Sequence, residues 1–322
     1  ACADQELALA VVLALEGGKA QVQTNLVSEQ QRLFDLDAGA RMTLVPALRG
    51  KAAPTLEDVT ALIRLQNLAL DALPRVCGLA DGRLSGTIDA RALLTSNPEV
   101  SVKLVGEKLG FGGASGQDIE LSARATSSEV SVDLALIHEK TRSTAQARVP
   151  IRFQRQSFEL VRDEPVSGEV KLSRLPLIAL LPPSFAISRA SGYLNGSVVL
   201  GGTLDAPNVG GRIQPERMAL TVTGMAQPLH GIEGAIAFSN RSVQIERLVA
   251  RDRSGSITLS GAAELEANDE VRAKLSIKAD GFPLRQQGQI AGEVDADIDV
   301  TAHVDQARTR VDVRMKDASA WL

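Results

Sequence analysis

The residues that could do chemistry are few and stand apart in the sequence. The three histidines, His138, His230 and His303, each lie in a separate β-like segment, with no second histidine or cysteine close by. A metal site needs several such ligands at short spacing, so these positions are typical of solvated or turn histidines. We therefore predict no metal site and no histidine-dependent catalysis.

A glycine-rich stretch, Gly110–Gly116, has the composition of a phosphate-binding loop. It lacks the Lys-Ser/Thr ending of a P-loop, it does not match G-x-G-x-x-G, and no helical pattern follows it. The chain also has no G-x-S-x-G and no H-E-x-x-H. We predict a hairpin loop here and expect no enzyme activity and no cofactor.

Four acidic residues, Glu293, Asp295, Asp297 and Asp299, recur at every second position. On one face of a strand such neighbours lie about 6.6 Å apart, because each residue advances the strand by about 3.3 Å. This spacing excludes a close carboxylate pair or a tight calcium shell within the strand alone. A solvated acidic face is the favoured interpretation, and a weak cation site is the alternative.

Composition narrows the function further. Of 322 residues, 44% are hydrophobic but only 3% are aromatic, and the net charge is −4. Such a chain is not expected to bind nucleic acid or anionic headgroups. Cys2 and Cys77 could pair in an oxidising compartment or remain separate thiols. The longest apolar run, Leu7–Leu15, is too short to span a bilayer, and we expect the chain to be cut from a longer protein.

The elements that position these residues alternate apolar and polar side chains with a period of two. The pattern is clear at 119–125, 130–136, 145–153 and 271–277. It predicts antiparallel strands with one apolar and one wet face. Turns about every 8–12 residues fit a sandwich, a barrel or a β-solenoid. Three stretches break the pattern and predict short helical turns, 27–36, 70–79 and 178–187, the first of which could instead be a loop.

The strands follow an internal repeat. The phrase Gly-x-Leu-x-Gly-x-Val at Gly192 is related to phrases that begin at Gly82 and Gly288. Upstream of it, Leu175-Pro176-Leu177 recurs 107 residues later as Phe282-Pro283-Leu284. Self-similarity of this kind is typical of units that stack on copies of themselves. We divide the chain into an N-terminal β segment (1–66), a first repeat (67–173), a second repeat (174–281) and the start of a third (282–322).

This repeat phrase, followed by G-x-x-x-x-P-x-x-x-G and preceded by a Leu/Pro-rich turn, resembles the TamB family and its AsmA-like relatives. The match is clearest over Gly192–Leu265, and weaker copies cover most of the remaining chain. The resemblance implies an elongated antiparallel sheet, curled into one continuous open groove (a β-taco) with its apolar face inward. It also implies an inner-membrane-anchored protein that crosses the periplasm of a diderm bacterium and carries phospholipid between the inner and outer membranes.

On this interpretation the alternating apolar residues contact phospholipid acyl chains. The predicted groove-lining residues are Leu121, Val132, Leu134, Leu136, Val149, Ile151, Val198, Leu200, Ile257, Leu259, Leu275, Ile277, Val294, Ile298, Val311 and Val313. The polar residues expected on the wet face include Asp133, Arg148, Lys274 and Asp297. The alternative function is a structural or assembly scaffold that pairs with an Omp85-type outer-membrane barrel. A conduit requires an unfilled apolar face, whereas a scaffold would pack it solid.

Overall fold

The described part of the protein is all-β in the computed structural model. It comprises residues 7–28, 31–42, 56–72, 80–111, 114–154, 157–177, 187–222, 229–251, 255–266, 270–286, 289–305 and 308–321. Nineteen strands form an antiparallel meander, and the helical structure described among these residues is a 3₁₀ turn at Leu70–Ala72 and one 3₁₀ residue at Leu177. The prediction of an all-β, antiparallel fold is therefore confirmed.

The strands average more than ten residues, and most pair with the next strand in sequence. They are β1 (Leu7–Glu16), β2 (Lys19–Ser28), β3 (Gln31–Met42), β4 (Leu56–Ala69), β5 (Ala80–Arg91), β6 (Glu99–Phe111), β7 (Ala114–Ala125), β8 (Glu129–His138), β9 (Thr141–Gln154), β10 (Ser157–Leu160), β11 (Ser167–Pro176), β12 (Ile187–Gly202), β13 (Pro207–Val222), β14 (Leu229–Asn240), β15 (Ser242–Arg251), β16 (Ser256–Leu265), β17 (Val271–Gln286), β18 (Gln289–Val304) and β19 (Thr309–Trp321).

Of the three stretches predicted to interrupt the strands, one is contradicted by the structure and two lie mostly outside the described residues. The helix or loop predicted at 27–36 is wrong for its described residues, because strand β3 begins at Gln31 and pairs with β2 through Phe34 opposite Leu26. The turn predicted at 70–79 begins as the 3₁₀ turn, and its remainder lies outside the described residues. Of the stretch 178–187, only Ile187 is described, and it begins β12. Cys2 and Cys77 also lie outside the description.

The chain divides into two compact units. Unit 1 comprises residues 1–140, 144–168 and 203–205, and unit 2 comprises 141–143, 169–202 and 206–322. The predicted division into repeats stays a prediction.

In unit 1 the register of β1–β8 aligns apolar residues in rows that run across the strands. Cross-strand partners in an antiparallel pair lie on the same face of the sheet, so each row belongs to one face. One row is Leu9, Leu26, Phe34, Leu65, Gly86, Leu104, Leu121 and Leu134. The adjacent row is Val11, Thr24, Leu36, Ile63, Ile88, Val102, Ala123 and Val132.

Unit 2 repeats this arrangement over β12–β19. One row is Val198, Gly211, Phe238, Val243, Ala263, Ala273, Ala302 and Val311. The next is Gly196, Ile213, Ile236, Ile245, Gly261, Leu275, Val300 and Val313. A third contains Leu248, Leu259, Ile277, Ile298 and Met315. We call the face that carries these rows in each unit its apolar face.

A β-bulge recurs at intervals of 107 residues. The backbone has a φ of 53° at Asn67, 47° at Arg174 and 52° at Gly281. Each of these residues donates its backbone N–H to a side-chain oxygen on the following strand. The acceptors are Ser85 Oγ at 2.9 Å, Asn195 Oδ1 at 2.8 Å and Asp295 Oδ1 at 2.7 Å, respectively. The repeat seen in the sequence is thus also a repeat of local backbone structure.

The residue that follows each bulge is buried. Leu68 is 9% exposed, Leu175 is 2% exposed and Phe282 is 4% exposed. In unit 2 the buried Met218, Ile232 and Ala250 form a cluster against which Leu177, Leu194, Leu220 and Leu229 pack. We call the side of the apolar face that holds these buried residues the bulge margin. In unit 2 this buried cluster therefore lies along one side of the apolar face.

Candidate functional site

The predicted groove-lining residues of unit 1 are half-buried, except for Ile151, which is buried. Leu121 pairs with Leu134, and Val132 and Leu136 occupy the same face of β8. In β9, Val149 and Ile151 alternate with the exposed Arg148 and Arg152. Leu121, Val132, Leu134, Leu136 and Val149 are half-buried, whereas Ile151 is 5% exposed and pairs with Leu160 of β10. Ile151 is therefore covered by its neighbours and offers little surface to a ligand.

All ten residues predicted in unit 2 lie on its apolar face. The register joins Val198 through successive pairs to Ala273 of β17, two residues from Leu275, and Leu259 pairs with Ile277, which pairs with Ile298. Leu200 lies two residues from Val198 on the same face of β12. Eight of the ten are half-buried, while Val311 and Val313 on β19 are 55% and 66% exposed. The remaining members of the set are Ile257 and Val294, which share the same face. That they contact lipid stays a prediction.

The apolar face is closed on one side and open over its middle. At the bulge margin, side chains are almost wholly buried, but the rows beyond it are only half-buried. None of the unit 2 rows given above contains a charged residue over β12–β19. With strands about 4.8 Å apart, the eight strands of a row extend over about 34 Å. The face is a long, uncharged and partly solvated apolar strip.

Sequence reasoning missed part of the apolar face of unit 1. Leu9, Val11 and Leu13 of β1 continue the rows of unit 1 and are 64%, 59% and 67% exposed. They were not included among the predicted lining residues. The buried residues of the bulge margin were also missed, although the recurrence of Leu175-Pro176-Leu177 as Phe282-Pro283-Leu284 was a signal for them.

The opposite face is polar, as predicted. Asp133, Arg148 and Lys274 are exposed there. Asp297 lies on this face too, but it is half-buried because Lys278 Nζ lies 3.6 Å and Lys316 Nζ 3.8 Å from its carboxylate oxygens. The register confirms the face of Asp133, Lys274 and Asp297, and Arg148 alternates with half-buried Ala147 and Val149 within β9. Only Asp297 is more covered than expected.

The acidic ladder of β18 is occupied by cationic and backbone partners. Lys316 Nζ lies 2.6 Å from an Asp299 carboxylate oxygen, and its hydrogen bond to Asp299 raises the pKa of the Lys316 ammonium. Asp295 accepts the Gly281 N–H, and Asp297 lies between two lysines. In the described residues, no group of three or more histidine, cysteine or acidic side chains could hold a metal ion. The ladder is therefore half-buried, with ion pairs at Asp297 and Asp299, rather than simply solvated, and the alternative of a weak cation site stays a prediction.

A shallow depression of about 390 Å³ lies on the polar face of unit 2. Two ion pairs border it, Arg212 to Glu246 at 2.7 Å and Arg251 to Glu233 at 2.8 Å. Its lining also includes the buried Ala235 and Val249, which the long arginine side chains flank. Four of the charges here neutralise each other in these two pairs, and Arg247 lines the depression as a third arginine.

No family model, curated protein or solved structure matches the chain. Among the described residues, no helix reaches the length and hydrophobicity that a membrane span requires. The apolar face is thus the candidate site on the grounds of its own geometry. What it can do chemically is to receive a hydrocarbon surface without forming or breaking a bond.

Proposed function

We propose that this chain carries phospholipid by sheltering acyl chains on its apolar face. The observation that supports the proposal is the half-burial of the rows beyond the bulge margin, in a sheet whose opposite face is charged and wet. A soluble sheet normally covers such a face with another layer. The described residues supply no second layer over these rows in either unit, and we infer that a hydrocarbon ligand takes that place.

The physical gain from such shelter is large. Each methylene that leaves water is stabilised by about 0.8 kcal/mol, so a chain of about 16 methylenes loses about 13 kcal/mol on exposure. A partly solvated apolar strip removes most of this barrier without chemical work. Valine, leucine, isoleucine and alanine line it, and these side chains offer no charge to trap a headgroup. The strip therefore suits movement of a lipid better than its permanent storage.

The resemblance to the TamB family supports a cellular setting for this proposed function. We infer a periplasmic segment of an inner-membrane-anchored protein that moves phospholipid between the two membranes. A curled, groove-shaped sheet, the finer fold that the resemblance implies, belongs to this proposal. The scaffold alternative, with an Omp85-type barrel as partner, requires a solidly packed interior, and the half-buried rows favour the conduit over it.

The proposal is tested by placing one charge on each face of the same strand. Leu259→Asp puts a carboxylate on the apolar face of β16, and Thr258→Asp puts it one residue away on the polar face, opposite Lys278. Binding of a fluorescent phospholipid and the melting temperature are measured on both variants. We expect Leu259→Asp to lose most lipid binding while melting falls by only about 2–4 °C, because a half-buried leucine contributes about 1 kcal/mol.

The control variant Thr258→Asp should keep both lipid binding and melting temperature. The proposal fails if Leu259→Asp binds lipid normally. It also fails if Leu259→Asp and a second inner variant, Ile298→Arg, both collapse in melting, since that result indicates a solid core in which an unpaired charge cannot reach water. Mass spectrometry of lipid that co-purifies with the unmodified chain identifies the headgroup and acyl length.

A further inference from the structure

The depression on the polar face of unit 2 is built over strand β14, whose side chains on that face are short. Arg212 of β13 pairs with Ala237 of β14, and Arg247 of β15 pairs with Ala235, so that long side chains flank short ones on both sides. The floor is apolar and well covered, since Ala235 is 2% exposed and Val249 is 5% exposed. The strand order itself therefore produces a concave site with arginines in its walls.

A register shift in β15 brings two consecutive charged side chains to this depression. Ala235 pairs with Arg247, but the next residue of β14, Ile236, pairs with Ile245, so Glu246 is an extra residue on β15. In a regular strand successive side chains point to opposite faces, whereas here Glu246 and Arg247 both line the depression. The bulge thus adds a charge that an unbulged strand would place on the other face.

Ion pairs hold the two ends of the depression and leave its middle charge uncompensated. Arg212 reaches across β14 to Glu246 through two N–O contacts of 2.8 and 2.7 Å, and Arg251 lies 2.8 Å from Glu233. Arg247 is exposed between them and has no hydrogen-bond or ion-pair partner in the part of the chain that the structure describes. Three arginines against two glutamates leave one positive charge in the depression.

We propose that this depression binds a phosphate ester, with Arg247 as its main contact. A guanidinium presents N–H donors in a planar fork that matches two oxygens of a phosphate. Arg212 and Arg251 keep N–H groups beyond those that face their glutamates, because each guanidinium has five. A phosphate has more oxygens than a carboxylate and is better shared among several guanidiniums. The volume of about 390 Å³ is in the range of small-molecule sites.

The two glutamates restrict the ligand further. Glu233 and Glu246 accept hydrogen bonds from hydroxyl groups beside the phosphate and repel a second anionic group. The net charge of −4 gives the chain no general attraction for anions, so binding depends on this local charge. The expected ligand has one phosphate next to hydroxyl groups, as glycerol 3-phosphate has. The depression lies on the face opposite the apolar rows, so this inference does not rest on lipid carriage.

The experiment is calorimetric titration of the 322-residue chain with glycerol 3-phosphate, and with glycerol as the uncharged comparison. Arg247→Gln should weaken glycerol 3-phosphate binding by at least about tenfold, the loss expected for a hydrogen bond between charged groups. Arg314→Gln is the matched control, because it removes the same charge from an exposed position on the polar face of unit 2, outside the depression. This control should keep the affinity of the unmodified chain. Circular dichroism checks the folding of both variants.

A third variant changes the affinity in the opposite direction. Glu246→Gln removes the carboxylate that occupies Arg212, and it keeps an oxygen that accepts a hydroxyl group. Binding of glycerol 3-phosphate should become severalfold tighter, a gain that a folding defect does not produce. The proposal is overturned if glycerol 3-phosphate binds no better than glycerol, if Arg247→Gln and Arg314→Gln have equal affinities, or if Glu246→Gln weakens binding.

The same chemical group occurs in soluble phosphate esters and in the headgroup of phosphatidylglycerol, and vesicle flotation distinguishes these sources. Flotation with phosphatidylglycerol vesicles that requires Arg247, that glycerol 3-phosphate competes away and that phosphatidylcholine vesicles do not reproduce supports the site with a headgroup as ligand. Calorimetric binding that requires Arg247, without flotation, supports the site with a soluble ester. Leu259→Asp on the apolar face should leave calorimetric binding unchanged, so failure of lipid carriage and failure of this site are separate results.

Discussion

A second recurring irregularity, which we call the glycine bulge, offers a sharp test of how the repeat is built: the register shifts at Gly82 on β5 and at Gly192 on β12. Gly192 and Gly82 begin the repeated phrase, and their φ angles are +96° and +103°. A Cβ at Gly192 would lie 2.5 Å from Met218 Cα and 2.6 Å from Arg217 O. Both neighbours are backbone atoms of the adjacent strand, so no side-chain rotation relieves the contact. Gly192→Ala therefore forces the bulge itself to move.

The expected loss follows from two terms. Holding a non-glycine residue in this backbone region costs about 1–3 kcal/mol, and the shift of the adjacent strand adds to it. We expect Gly192→Ala to lower the free energy of unfolding by about 2–4 kcal/mol. For a unit of this size each kcal/mol corresponds to about 2–4 °C in melting temperature. Unfolding by urea, followed by circular dichroism, measures the change.

Gly210 on β13 is the matched control. A Cβ there would have no heavy atom within 4 Å. Gly210→Ala should be neutral or stabilising by up to about 1 kcal/mol, because alanine has less freedom to lose on folding. If the two alanine variants unfold at the same urea concentration, the glycine bulge at Gly192 is not a fixed element of the fold, and the structural account of the repeat is wrong.

Two further results are expected. Leu175→Ala, at a side chain 2% exposed on the bulge margin, should lower the free energy of unfolding by about 2–5 kcal/mol. Leu121→Ala on the half-buried row should lower it by less than half as much, and chemical unfolding of both variants checks this difference. The hydrogen bond from Arg91 lowers the pKa of Asp89 from its ordinary 3.8. A lowered folded-state pKa stabilises the fold above the unfolded-state value, and this contribution is lost as pH falls through the folded-state value. Asp89→Asn should therefore be less stable than the unmodified chain at pH 7, with a difference that shrinks in acid titrations of stability; a difference independent of pH would contradict the assignment.

The sequence predicted the two faces of the sheet well because a period of two is a local property. Each residue's face follows from its neighbours in the chain, and the registers of β7–β8 and β16–β18 keep the predicted apolar sets together. The two-residue turn between β1 and β2 is also a local feature, since Gly17 and Gly18 take the positive φ angles that a tight turn requires.

What could not be predicted depends on the pairing between distant strands. Strand β3 was missed because Leu33 and Phe34 are adjacent apolar residues, which breaks the alternation, and the register shifts between Leu26 and Val27 of β2 opposite them. The bulge at Asn67 needs Ser85, eighteen residues away, as acceptor, so spacing alone did not reveal it. The half-burial of the apolar side chains could not be predicted either, because alternation shows which side of a strand is apolar but not whether anything covers that side.

The bulge accounts for both the closed and the open parts of the apolar face. An extra residue on one strand bends that strand and increases its twist, and at each recurrence the next apolar side chain is buried. Beyond the bulge the apolar residues stay aligned in half-buried rows across the strands, although further register shifts fall between Ile245 and Leu248 and between Asp297 and Ile298. A side-chain oxygen from the following strand holds the bulge N–H in every copy, which makes the bend a property of two neighbouring strands rather than of a central core. Sheets built in this way can add strands without enclosing their apolar face, and that is the structural condition that carriage of an acyl chain across many strands requires.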